Sequence, residues 1–250
     1  MTRVLLAPKL KWQQDRHLQA VTHALPSSPR PAAELDGLLK RLNNLWRVRE
    51  CPNAWKEVAW RLQVNGVRTA GGHDISLPCA CGWTPPVEAD KVARALACKA
   101  HVFGDCGVAK AVIEVLRESL PAHLSPLLQP ADVWLLRLPP HPQPSALNVD
   151  AWSLTCALAL HSIERGHAYL YSQRRLVNAE IRASNRAVGW LSYLLSDVAS
   201  SGSIPQSWKD LPSHQPFFRC ITTPRDSPLP PSRLLAVKMP AALEVFPADL

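Results

Sequence analysis

Between Pro31 and Val48 the apolar side chains Leu35, Leu38, Leu39, Leu42, Leu45 and Trp46 recur near a 3.6-residue period, which predicts a helix over 32–48 with those residues on its buried face. Residues 9–24 predict another, separated from it by Pro26, Pro29 and Pro31. A third is expected to start near Pro52, because proline suits a first helical turn, and to carry Trp55, Val58, Ala59 and Leu62 into a core. Residues 65–86, with Gly66, Gly71, Gly72, Gly82 and Pro85-Pro86, read as a loop. Helix-compatible sequence resumes from Val87 to about Lys99, and Val108, Val112, Val115, Leu116 and Leu120 then form a strongly amphipathic pattern. Prolines 121, 126 and 130 close that section, and Pro139-Pro140, Pro142 and Pro144 mark a looser connector. Beyond it, 148–171 predicts one long, largely buried helix. Residues 176–200 predict its antiparallel partner, with Ile181, Val188, Leu191, Leu195 and Val198 facing inward. Past Ser200 the chain turns polar and proline-rich, and residues 223–232 are expected to be irregular.

Composition agrees with this pattern. Glycine is scarce at 10 and proline plentiful at 24, while 47% of residues are hydrophobic, so helices between stiff breaks are favoured over a strand-dense fold. The expected fold class is mainly α: an irregular helical assembly with a Cys/His loop, a C-terminal helix pair and a proline-rich tail. Its expected parts are a basic helical region over 1–130, a helical pair over 131–220 and a tail over 221–250.

The formal net charge is +8, unevenly spread. Lys+Arg against Asp+Glu is 11 to 5 over 1–61, 6 to 6 over 62–130, 6 to 5 over 131–200 and 5 to 4 over 201–250. Six of the eight excess charges thus lie in the first quarter, which suggests an anionic partner there, with nucleic acid the commonest. Lys40, Arg41, Arg47 and Arg49 lie within ten residues and are the candidate phosphate contacts; a solvated face accounts for the same cluster. Trp46, Trp55 and Trp60 could stack on bases, although their place among periodic apolar residues fits core packing. The odd cysteine count of seven, with no basic, apolar leader, argues for reduced thiols in an intracellular setting, nucleus or cytoplasm. No segment approaches the roughly 20 apolar residues of a membrane span, so no membrane partner is expected.

The chemistry-bearing stretch is Cys79-Ala-Cys81, followed after nineteen residues by His101-Val-Phe-Gly-Asp-Cys106, which runs straight into the helix of Val108 to Leu120. Three thiols and an imidazole are ligands suited to a tetrahedral zinc ion. A Cys-x-Cys pair is tighter than the usual ~2–4 intervening residues, and Cys98 competes as a donor. The four residues can also be read as small apolar core side chains beside a hydrogen-bonded histidine. Cys51, Cys156 and Cys220 have no partner pattern and read as packing residues. His161 and His167, six apart on a predicted helix, point to different faces and receive no metal role.

Leu45-Trp46-Arg47 with Cys51-Pro52-Asn53, and then Lys56-Glu57-Val58-Ala59-Trp60-Arg61-Leu62, resemble the opening of the zinc-binding region that follows the reverse transcriptase in non-LTR retrotransposon polyproteins. His101-Val102-Phe103 through Cys106, with Ala109-Lys110-Ala111-Val112, resemble its closing element, and the two blocks come in the same order. The resemblance implies that Cys79, Cys81, His101 and Cys106 correspond to that region's Cys, Cys, His, Cys set and would bind Zn2+. It covers roughly residues 40–120. Residues 131–220 are more weakly similar to the tails of such polyproteins in green algae. The gap between Cys81 and His101 is longer than the short spacer usual in that family.

Polymerase chemistry needs an aspartate pair to hold two metal ions, and no Asp-Asp occurs in the chain. Asp132 and Asp150 are the only candidates for a restriction-like nuclease remnant. The expected function is therefore a non-catalytic, zinc-binding-like accessory module of a retroelement, binding RNA or DNA non-specifically and associated with a reverse transcriptase domain if part of a larger polyprotein. The alternative is a degenerate transposon remnant acting, if at all, as a protein-interaction domain.

Overall fold

In the computed structural model, the residues described are 15–26, 28–48, 51–64, 79–87, 91–120, 122–140 and 149–200. Helix is the only extended regular structure among them: α1 (residues 15–24), α2 (Pro31–Arg47), α3 (Asn53–Gln63), α4 (Lys91–Ala100), α5 (Gly107–Ser119), α6 (Pro130–Trp134), α7 (Val149–Ser172) and α8 (Ala179–Ser200). A single π-helical turn, His101–Asp105, joins α4 to α5, and a short 3-10 turn, Ser125–Leu127, precedes α6. The mainly α expectation holds, as does the C-terminal helix pair. The proline-rich tail lies outside the described residues.

The centre of the molecule is α7, whose residues 151–160 are all buried. A helix that is apolar all round belongs inside a protein rather than on its surface, and α2, α3, α5, α6 and α8 pack around it. No helix among the described residues is long and apolar enough to cross a membrane. One continuous apolar core runs from Val21 on α1 to Val198 on α8. Helices from before the proline connector, α3 and α5, pack directly against helices from after it, α7 and α8.

Local signals set the ends. Proline opens α2, with Glu34 in its first turn and Arg47 in its last, matching the helix dipole at both ends. Apolar periodicity does not predict the short α6. It is held by a capping box in which the Asp132 carboxylate accepts the Gln129 backbone N–H at 3.0 Å.

Three aromatic and apolar placements differ from the sequence expectation. On α2 the inward stripe is Leu38, Leu42 and Leu45, while Trp46 is 37% exposed, its ring lying 5.4 Å from the Lys56 ammonium. Trp60 is 36% exposed, whereas Trp55 packs partly against the core. On α8 Ile181 is 52% exposed, and the buried face is Ala179, Ala183, Ala187, Leu191, Leu194, Leu195 and Val198. The inward register is carried by alanines because α8 must approach α7 closely. At Gly166 a Cβ would lie 2.6 Å from the Ala187 Cβ and 2.8 Å from Val108 Cγ1, closer than real Cβ atoms come. Only glycine lets α5, α7 and α8 meet at that point.

Candidate metal centre

Two short pieces of chain build the site. The first, residues 79–83, is a tight turn in which the Gly82 N–H donates to the Cys79 carbonyl at 2.9 Å and the Cys79 N–H to the Trp83 carbonyl at 2.7 Å. Gly82 has φ +93, a left-handed conformation that glycine adopts without steric cost. The second is the π turn, closed by the Cys106 N–H donating to the His101 carbonyl at 2.7 Å. The extra residue in that turn lets α4 end and α5 begin while His101 and Cys106 stay on one side; such π turns are frequent at functional sites. Cys106 then sits in extended geometry immediately before α5, where the helix dipole favours a thiolate.

The ligand atoms of Cys79, Cys81, His101 and Cys106 all lie within 4.8 Å of one another. Cys81 Sγ is 3.2 Å from His101 Nε2. Zinc ligands at 2.0–2.3 Å in a tetrahedron sit about 3.5–3.8 Å apart, so the cluster needs at most about 1 Å of adjustment to close on an ion. His101 and Cys106 are buried, Cys79 and Cys81 half-buried. The donor set fits a metal ion: three sulfurs and one imidazole nitrogen are a soft, closed tetrahedral set. Cys98, the competing donor, is buried outside this cluster. Cys51 and Cys156 are buried packing residues, and Cys220 lies outside the described residues.

Two residues without an assigned role in the sequence reading complete the environment. The Trp83 indole stacks on the His101 ring at 4.3 Å with an interplanar angle of 4°, fixing the imidazole by its face. His101 Nδ1 is buried without a hydrogen-bond partner. His167, buried on α7, brings its Nε2 within 3.4 Å of Cys79 Sγ. The Cys79–His167 contact spans 88 residues of chain and ties the Cys/His loop to the central helix.

The electrostatics follow from proton sharing among thiols. Cys79 is held well below the ordinary thiol range, first by a hydrogen bond from Cys106 and then by those from His101, His167 and the Cys81 backbone, against burial. The same bond holds the Cys106 thiol well above the ordinary range, with burial adding to it. Burial is the main cause raising Cys81, helped by the neighbouring Cys79 and by Glu180. Binding a divalent ion would therefore displace protons from Cys81 and Cys106.

Of the basic candidates, Lys40 and Arg47 are exposed on α2. Arg41 is partly buried and donates through Nε to the Leu135 carbonyl at 2.8 Å. Arg49 lies outside the described residues. Asp132 is 1% exposed and bound to Arg137 Nε at 2.8 Å, while Asp150 accepts from Asn44 Nδ2 at 3.0 Å.

No protein-family model, no curated protein and no solved structure matches this chain.

Proposed function

We propose that this protein is a zinc-stabilised, non-catalytic nucleic-acid-binding module related to the region behind the reverse transcriptase of non-LTR retroelements. The observation that carries the reading is the convergence of Cys79, Cys81, His101 and Cys106 within 4.8 Å, from two motifs separated by nineteen residues in the order that region uses. Four protein donors leave no open position for a reactive water, so the ion is structural. The carboxylates of Asp132 and Asp150 are occupied by Arg137 and Asn44, which speaks against the nuclease alternative. The partners proposed are single strands of RNA or DNA, bound without strong sequence preference, and a polymerase domain where the module sits in a longer polyprotein.

The protein-interaction reading has one observation in its favour. Leu176 and Val177, in the α7–α8 turn, are 46% and 82% exposed, and Ile181 lies just beyond them. The test is metal content by atomic emission together with equilibrium binding of fluorescent oligonucleotides over a salt series. One zinc per chain and an affinity that falls steeply with salt are expected. A folded, zinc-loaded chain that binds no oligonucleotide at low salt would defeat the nucleic-acid reading in favour of the protein-interaction one.

A further inference from the structure

The α7–α8 pair carries exposed arginines at 165, 174, 175, 182 and 186, and none of the five makes an ion pair with a described residue. The carboxylates nearest them in sequence are engaged: Glu164 accepts from Arg61 at 3.1 Å, and Glu180 from the Gly107 N–H at 3.1 Å. Elsewhere the described guanidinium groups of Arg61, Arg117 and Arg137 each hold a carboxylate.

Three of these arginines and three rings share one face. The Arg165 guanidinium lies 5.6 Å from the Trp190 ring, and that of Arg186 lies 4.7 Å from Tyr169. These two contacts across the antiparallel pair are in one register, since 165 and 169 on α7 and 186 and 190 on α8 each step by one turn. Arg182, one turn before Arg186, continues the row, and Trp190 stacks on Tyr193 at 5.3 Å. The row covers about 16 Å along α8, with cations about 6 Å apart.

We infer that this arginine and aromatic row is a binding surface for single-stranded nucleic acid, with Arg165, Arg182 and Arg186 meeting phosphates and Trp190 and Tyr193 stacking on bases. The inference rests on the nucleic-acid reading above and moves the contact from the basic N-terminal quarter to the C-terminal helix pair. Unpaired guanidinium groups supply charge that no internal carboxylate neutralises, and rings flanked by cations are the platforms on which unstacked bases lie. A duplex hides its base faces, so single strands are favoured. An anionic membrane fits less well, because the row alternates cations and half-buried rings instead of presenting a continuous apolar face.

The test uses the full zinc-loaded chain with fluorescent oligo-uridylate and oligo-thymidylate, the two arms separating RNA from DNA. Arg165→Gln/Arg182→Gln/Arg186→Gln changes only exposed side chains and is expected to fold normally by circular dichroism. It should lower the slope of log affinity against log salt by about 2, at ~0.7 per phosphate contact on a single strand. Tyr193→Ala should weaken binding about tenfold or more at constant salt slope, as loss of a stacking platform does. Lys40→Gln/Arg47→Gln should leave most of the affinity in place. If the chain binds but the triple variant keeps both affinity and slope, the row is not the site while the broader reading survives. If the parent chain binds neither oligonucleotide, both fall together. Arginine-dependent binding to phosphatidylserine vesicles in the absence of oligonucleotide binding would make the row a membrane surface and overturn the inference.

Discussion

Two regions bear on α5 by opposite means. At its N-terminus, Cys106 joins a polar corner whose parts come from a turn, a π turn and one histidine of α7, and whose cohesion depends on which protons or ions occupy it. On its flank, Val108 packs at a crossing where Gly166 and Ala187 bring α7 and α8 into close contact, and the atoms that meet there are apolar side chains and backbone, with no titratable group among them. The corner is thus a conditional clamp and the crossing a permanent one. Local stability should divide accordingly, since regions with few apolar contacts open most readily.

The largest expected effect breaks the conditional side. Cys79→Ser or Cys106→Ser should weaken zinc binding well beyond the ~10–100-fold that loss of an outer partner costs, measured by competition with a chromophoric chelator. Stripping the metal from the parent protein should raise amide exchange over residues 79–83 and 101–106 while the amides of α7 around 154–163 stay protected. Equal loss of protection in both regions would show that the two clamps are one cooperative unit.

Next in size is the permanent side. Gly166→Val places methyl groups where Ala187 and Val108 already lie, and overpacking of this kind costs typically ~1–3 kcal/mol. The urea midpoint should fall by a similar amount with and without zinc. A variant as stable as the parent would mean that α7 and α8 separate more easily than their alanine face implies.

Much of this division was legible in the sequence, and the remainder was hidden for identifiable reasons. The helix pair expected over 148–171 and 176–200 follows from apolar periodicity and is found at Val149–Ser172 and Ala179–Ser200, and the Cys79, Cys81, His101 and Cys106 set follows from residue type and resemblance. His167 was missed because its link to Cys79 is purely tertiary; six residues from His161 on one helix, it shows no local pattern. Trp83 stacks on a ring eighteen positions away and left no signal either. Ile181 reads as inward because isoleucine outranks alanine on any apolar count, yet close helix approach selects the smaller side chain. Charge counting pointed to the N-terminal quarter, where Arg41 and Lys56 donate to the Leu135 and Val48 carbonyls and Arg61 pairs with Glu164. Residues 131–200 are nearly neutral in sum yet leave five arginines unpaired among the described residues, because their acids are committed elsewhere. Net charge is a property of composition, whereas available charge depends on the fold.

A smaller effect probes the central helix through pH. His161 on α7 is driven down to about 4, chiefly by burial and then by Arg165 and Arg61. Because the folded state holds this imidazole neutral while the unfolded chain protonates it near 6.5, stability is present above about pH 6.5 and declines as pH falls toward 4. His161→Gln should flatten the acid limb of the difference from the parent, read as urea midpoints between pH 4 and 7 on zinc-free protein. An identical acid limb would assign the loss to other groups.

The smallest predicted effect separates the clamps at the residue where they touch. Glu180, in the first turn of α8, accepts the Gly107 N–H at 3.1 Å at the start of α5 and also raises the Cys81 thiol through its charge. It therefore favours the helix and opposes the thiolate. Glu180→Gln keeps an oxygen for the Gly107 N–H but removes the charge. The zinc-free protein should lose no more than the ~0.3–1 kcal/mol that an anion contributes at a helix N-terminus. Zinc binding should change little, because the charge that opposes the Cys81 thiolate also attracts the divalent ion that replaces the displaced protons. A lower urea midpoint without metal beside an unchanged zinc dissociation constant would show that the carboxylate serves the helix end and not the metal site. Weakening of both would mean that the carboxylate acts only by positioning α8 against the start of α5.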